Sequence, residues 1–298
     1  MTIRQRFHRV RWFCIAMLLA QLTGATSARG QATPSTDIWL VPIDLGASPA
    51  TLGTPRNLTD RDGYDNQPLF EPEGGALLFT SQHDGQTDIY RARLETSVVE
   101  RLTETPESEY SATVTPGGHE FSVIRVESDG AQRLWAFRRD GSAPRRLLES
   151  VAPVGYQAWT PDNALAMFVL GDPATLQLAD LAADSAAVVA EDIGRSLHAL
   201  PDGSGFSFLH RVDGTWRIRA LDLISGNLAE LGLPFEDSRD MAWTPDGRII
   251  MGSGSRVAMR SIEGDWQVIG DLADAGITGI TRLAVHPDGE LIAVVAER

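Results

Sequence analysis

The chain has 298 residues, 43% of them hydrophobic and 22% charged, which is ample for one large all-β domain or two smaller ones and excludes wholesale disorder. Asp and Glu number 40 against 26 Lys and Arg, a formal charge of −14, and every one of those bases is an arginine. A protein this acidic repels nucleic acid and anionic membrane surfaces, so neither is expected as a partner.

The first element reads as a secretion signal. Arg4, Arg6, Arg9 and Arg11 precede the apolar run Trp12 to Ala20, and small residues follow, with cleavage expected near Ala28 or Ala32. The apolar run is far shorter than the roughly 20 residues that span a bilayer, so no stable membrane insertion is expected once the signal is cleaved. Cleavage after Ala32 removes five arginines (the four above and Arg29) and no acid, taking the formal charge from −14 to −19. It also removes Cys14, the chain's one cysteine, so the mature protein has no disulfide. The reading is a signal peptide over 1–32, then one domain over 36–298, in the periplasm or secreted.

The mature chain opens with a strand pair, "TDIWLVPIDL" from Thr36 and "ATLGTPRNLT" from Ala50. Six hairpins then recur: "PLFEPEGGALLFTS", "ATVTPGGHEFSVI", "AWTPDNALAMFVL", "HALPDGSGFSFLH", "AWTPDGRIIMGSG" and "AVHPDGELIAVVA". Their turn prolines are Pro72, Pro116, Pro161, Pro201, Pro245 and Pro287, spaced by 44, 45, 40, 44 and 42 residues. Proline presets φ at the turn, the acid bonds nearby backbone, and glycine takes the positive φ that closes the hairpin; Asn163 is the substitute in the third copy. After each of the first five hairpins comes a second strand pair with period-two alternation, such as "DIYRARLE" followed by "VVERLT".

A constant period near 40 residues with four short strands in each predicts an all-β, six-bladed β-propeller. Six hairpins meet only five following outer pairs. The sixth outer pair is the one at Thr36, whose "TDIWLVPIDL" matches "TDIYRARLET" at Thr87. The last blade is therefore predicted to be closed by N-terminal outer strands pairing with the C-terminal hairpin, which leaves no bare inner edge.

These units resemble the PD40 (WD40-like) repeat of the TolB-like β-propeller family. The fullest match runs from Arg56 to Leu94, "RNLTDRDGYDNQPLFEPEGGALLFTSQHDGQTDIYRARL", with the "LT", the Pro-Glu-Gly turn and the "DIY" strand. The resemblance implies a propeller working outside the cytoplasm. TolB proper has a separate α/β domain before its propeller that contacts the Tol machinery. In this sequence the propeller is expected almost directly after the signal.

Binding surfaces of propellers form where the loops entering the innermost strands surround the central channel. Seven positions before each turn proline lie Asp65, Glu109, Val154, Gly194, Ser238 and Ile280. The next two positions hold Asn66-Gln67, Tyr110-Ser111, Gly155-Tyr156, Arg195-Ser196, Arg239-Asp240 and Thr281-Arg282. This predicts a rim with an acidic arc containing Asp65 and Glu109. The opposite arc carries Arg195, Arg239 and Arg282, flanked by Tyr156 and Asp240. Arginines at a pore mouth can fork onto carboxylates of an acidic peptide or a uronic acid.

His83, His119, His198, His210 and His286 show no local metal-ligand spacing, and no nucleophile elbow is present, so neither a catalytic residue, a metal nor a cofactor is expected. Trp135, Trp159, Trp216 and Trp243 are expected to pack between blades. The sequence reading is thus a monomeric, non-enzymatic binding module for an envelope or secreted protein or peptide. The alternative is a metal-dependent lyase or hydrolase acting on acidic polysaccharide in the propeller channel, since some lyases share the repeat.

Overall fold

The computed structural model describes residues 35–298, so the signal reading at 1–32 lies outside the described residues. Five four-stranded antiparallel sheets and a sixth of five strands follow one another around a central channel. From the channel outward, blade 1 is Asp65–Phe70, Ala76–His83, Gln86–Arg93 and Val99–Arg101. Blade 2 is Ser108–Val114, Glu120–Val126, Gln132–Arg138 and Arg145–Arg146. Blade 3 is Val154–Trp159, Leu165–Val169, Thr175–Asp180 and Ser185–Glu191. Blade 4 is Ile193–Ala199, Gly205–Val212, Thr215–Asp222 and Leu228–Gly232, and blade 5 is Met241–Trp243, Ile249–Ser253, Arg256–Arg260 and Gln267–Asp271.

Blade 6 is built from both ends of the domain, as the repeat count predicts. Ile280–Val285 and Leu291–Glu297 form its inner hairpin, and Thr36–Asp44 pairs antiparallel with the second of these from Thr36↔Glu297 to Pro42↔Leu291. The outermost strand is broken into Thr51–Leu52 and Arg56–Asn57, a detail the sequence does not announce. The break sits where the Gly53 N–H bonds the Pro42 carbonyl at 2.8 Å, and a Cβ on Gly53 would lie 2.9 Å from the Pro42 side chain.

The turns behave as their composition requires. Gly74, Gly118, Asn163, Gly203, Gly247 and Gly289 all sit at φ between 68° and 78° or at 83° for Gly247. Each donates its N–H to the carbonyl three residues back, at 2.8 to 3.1 Å. Asparagine in the third copy adopts the same left-handed conformation as the glycines, at the small cost that residue tolerates.

The core is divided into six apolar clusters, one in each space between neighbouring blades. Phe121, Phe137, Leu78 and Ile89 fill the space between blades 1 and 2. Phe206, Phe208 and Phe168 fill that between blades 3 and 4. Strand alternation makes this possible: on Thr36–Asp44, Ile38 and Leu40 face blade 1 while Val41 and Ile43 face blade 5. Trp159 and Trp243 pack between blades as expected, each donating its indole N–H to a serine of the preceding blade, Ser122 at 2.9 Å and Ser207 at 2.8 Å.

Arg298 latches the closure. Its guanidinium reaches Asp37 at 2.8 Å, Asp60 at 2.6 Å and Asp62 at 3.1 Å. These pairs are largely solvent-exposed on the acid side, except Asp37, so the latch adds little. Arg298→Ala is expected to cost about 1 kcal/mol and lower the melting temperature by about 2–4 °C in a calorimetric scan.

Candidate functional site at the channel

The innermost strand of each blade enters the channel with a short polar stretch. The position five before each turn proline holds Gln67, Ser111, Tyr156, Ser196, Asp240 and Arg282, one from each blade, and all six line one cavity of about 250 Å³. The pairing is irregular near this position in every blade but the fifth, and in blades 1 and 2 the bulge puts the residue itself at positive φ. The register shifts between Asn66 and Leu69 and between Tyr110 and Thr113, with Gln67 at φ 56° and Ser111 at φ 55°. A bulge re-aims side chains on a strand, and both residues here line the channel.

The ring is stitched from blade to blade. Gln67 Oε1 accepts the Ser111 N–H at 2.8 Å, Ser196 Oγ accepts the Met241 N–H at 3.1 Å, and Asp240 Oδ2 accepts the Leu283 N–H at 3.0 Å. Two arginines then cross the channel. Arg282 of blade 6 donates to the Tyr156 hydroxyl of blade 3 at 2.5 Å, with its guanidinium 4.9 Å from that ring's centroid and 3.7 Å from Asp240. Arg195 of blade 4 reaches past blade 5 to the Thr281 carbonyl at 3.1 Å. That is its one bond to protein among the described residues, so most of its five N–H donors face the cavity or solvent.

Burial works against the charge on Arg282, yet Tyr156, Asp240 and Tyr64 outweigh it and hold the guanidinium above its ordinary range. Burial pushes the Tyr64 hydroxyl up to about 12, partly offset by Arg282 and Arg195, so it remains a protonated donor. His198 lies deeper along the same wall, 3.2 Å from Ser196 Oγ, and its burial holds it below the usual imidazole range, with Arg282 acting in the same direction. The cavity wall thus carries two guanidiniums, one carboxylate and a neutral imidazole, a local positive balance inside an acidic chain. Tyr64, Tyr110 and Tyr156 line an adjoining cavity of about 290 Å³ that shares Gln67 and Tyr156 with the channel.

Of the seven residues expected at the rim, Tyr156, Arg195, Asp240 and Arg282 come together in this cavity. Asp65 and Glu109 do not line it. Both are fully buried: Asp65 takes Arg61 at 2.6 Å and the Ser81 hydroxyl at 2.5 Å, and Glu109 takes the Thr105 hydroxyl and lies 3.5 Å from Arg125. The reason is positional. In other blades the same position holds buried Val154 and Ile280, so its side chain points between the sheets. Arg239 also leaves the group: it lies over the Trp216 ring at 5.4 Å and bonds its neighbour Ser238's carbonyl. Tyr64, Gln67, Tyr110 and His198 are the residues that the rim count undervalued. The recurring polar or aromatic residue five before each proline is the signal that locates the ring.

The five histidines of the described residues do not converge. His83 bonds Ser81, His286 is held between Asp288 and the Gly74 carbonyl, and of the five only His198 lines the channel cavity. Among the described residues no three His, Cys, Asp or Glu side chains are placed to hold a metal ion. The residues present therefore do not fit the histidine-centred metal site that the lyase alternative requires.

No family model matches the chain. An uncharacterised protein of Agrobacterium fabrum is 28% identical over 93 residues, a stretch covering 31% of this chain and 29% of that protein's length. A solved structure from Agrobacterium tumefaciens assigned to TolB superposes with a TM-score of 0.71 at 15% identity, covering 90% of this chain and 99% of its own. TolB from Acinetobacter baumannii gives 0.60 at 14% identity over 89% of this chain and 64% of its own. Oligogalacturonate lyase from Vibrio parahaemolyticus gives 0.53 at 12% identity over 89% and 98%. One architecture thus hosts different activities, and what these likenesses establish is that the chain has a TolB-like six-bladed β-propeller fold.

Proposed function

We propose that this protein is an extracytoplasmic binding propeller whose channel mouth holds an acidic segment of a protein or peptide partner. The observation that carries the reading is the pair of arginines in the channel, Arg282 fixed by Tyr156 and Asp240, and Arg195 with most of its donors free. A planar guanidinium forks onto a carboxylate, and partial burial strengthens the bond. The tyrosines at 64, 110 and 156 supply amphipathic surface beside it, suited to a peptide backbone and its apolar side chains. The arginine-flanked apolar run at the N-terminus supports the export part of this reading. Among the described residues no helix is long and apolar enough to cross a membrane.

Isothermal titration with decapeptides carrying a Glu–Asp cluster, against the same peptides with Gln and Asn, tests this. The acidic peptides are expected to bind and the amide versions to bind at least tenfold more weakly. Arg195→Ala is expected to cost at least tenfold, while Arg239→Ala, whose side chain lies on Trp216, leaves affinity unchanged. Equal binding of acidic and amide peptides, or full affinity in a folded Arg195→Ala variant, would reject the arginine channel as the site.

A further inference from the structure

The outer edges of the six blades differ in a way that the channel reading does not explain. The outermost strand is two or three residues long in blades 1 and 2, five in blades 4 and 5, and split into two pairs in blade 6. Each of these carries a charged residue: Arg101, Arg145, Glu230, Asp271 and Arg56 are examples. Short charged edges are how sheet proteins discourage unwanted pairing. Blade 3 departs from the pattern. Its outermost strand, Ser185–Glu191, runs seven residues as "SAAVVAE", with no charge or proline before Glu191. No further strand pairs with its free side among the described residues. Val188 is 55% exposed, and Leu181, at the tip of the same hairpin, is 39% exposed.

Charge surrounds this neutral edge at both ends. Asp180 and Asp184 lie before it, and Glu191 and Asp192 end it. Arg211 pairs with Asp192 at 2.9 Å, while Asp180 and Asp184 accept hydrogen bonds from the backbone N–H groups of Ala182 and Glu149. A second copy of this chain would bring Asp180, Asp184 and Glu191, none of them in an ion pair among the described residues, against the same three acids, which disfavours self-pairing. An extended guest strand with basic ends meets complementary charge instead.

We propose that Ser185–Glu191 is an open pairing edge that takes an extended segment of a partner protein, uncharged through its core and flanked by arginine or lysine. The segment adds to blade 3 as a fifth strand, its backbone N–H and C=O groups meeting those on the free side of Ser185–Glu191. Ala186 and Ala187 place little bulk beside the side chains of an added strand, and Val188 supplies the apolar contact.

Hydrogen exchange on the whole mature chain with a synthetic probe tests this. The probe is the peptide Arg-Arg-Thr-Val-Thr-Val-Thr-Arg-Arg, compared with its Glu-flanked counterpart and with the same Arg peptide N-methylated at alternate core residues. Exchange at amides within Ser185–Val189 is expected to slow at least tenfold with the Arg peptide alone. Val188→Lys, a change at an exposed position, is expected to weaken binding at least tenfold, and Val268→Lys on blade 5 to leave it unchanged. Unaltered exchange in this strand overturns the proposal, as does equal binding of the N-methylated peptide. Protection of the strand in the protein alone, with a concentration-dependent dimer, overturns it in favour of a second copy.

Discussion

A chain beginning at residue 60 is expected to show no cooperative thermal transition, where the chain from residue 33 shows one. The removed strand, Thr36–Asp44, supplies apolar residues to two of the six interblade clusters: Ile38 and Leu40 toward blade 1, Val41 and Ile43 toward blade 5. Each is at most 5% exposed. Burying such side chains is worth about 1.5–3 kcal/mol apiece, so four account for roughly 6–12 kcal/mol, against about 5–15 kcal/mol for the whole stability of a typical domain. The deletion also strips the partner from Leu291–Glu297 over a seven-residue register and opens a sheet edge in the middle of blade 6. A milder version is Ile38→Ala, expected to cost about 2–5 kcal/mol and, at about 2–4 °C per kcal/mol for a domain of this size, to lower the melting temperature by roughly 4–20 °C. A shortened chain melting within about 2 °C of the longer one would contradict the interlock.

The second large effect concerns Glu109. Its carboxyl is fully buried, one oxygen has no partner, and burial pushes its pKa up to about 7 despite the Thr105 and Thr103 hydroxyls and Arg125. The folded state therefore holds this proton more tightly than the unfolded chain, whose glutamate titrates near 4.5. Stability tied to Glu109 is fully present below about pH 4.5 and is lost as pH rises through about 7. A difference of this size corresponds to about 3 kcal/mol. Glu109→Gln keeps the shape and removes the ionisation. The variant is expected to be more stable than wild type at pH 8 by about 1–3 kcal/mol and to match it at pH 4.5, read from urea denaturation at the two pH values. A variant less stable at pH 8 would mean that the charge is held by Arg125 after all.

Much of this fold is legible in the sequence because the determinants are local. A proline, an acid and a glycine at fixed offsets impose the same turn wherever they occur, and all six turns formed. The closure of blade 6 is legible for a related reason: the strand at Thr36 repeats the one at Thr87, so it takes the equivalent place in a sheet. Side-chain direction is less accessible. Counting back from the turn proline gives position along a strand, but bulges at Asn66–Leu69 and Tyr110–Thr113 change which side chains face the channel. Asp65 and Glu109 read as rim acids by count, but their position points between the sheets, as buried Val154 and Ile280 show in other blades, and Arg61 and Arg125 meet them there. Arg239 is one residue from Asp240 yet lies on Trp216, because both sit in the irregular stretch before Met241–Trp243, where no strand periodicity fixes side-chain direction. The arginine pair that spans the channel joins residues 86 and 126 positions apart in sequence, and no local pattern reports such contacts.

The most direct test of a binding propeller is crosslinking capture from the envelope fraction of the native host, with residues 33–298 as bait in wild-type, Arg195→Ala and Arg239→Ala forms. The account predicts one protein crosslinked to wild type and to Arg239→Ala, absent with Arg195→Ala, and crosslinked through peptides containing Tyr64, Tyr110 or Tyr156. Equal capture by all three forms, with crosslinks remote from the channel, would contradict it.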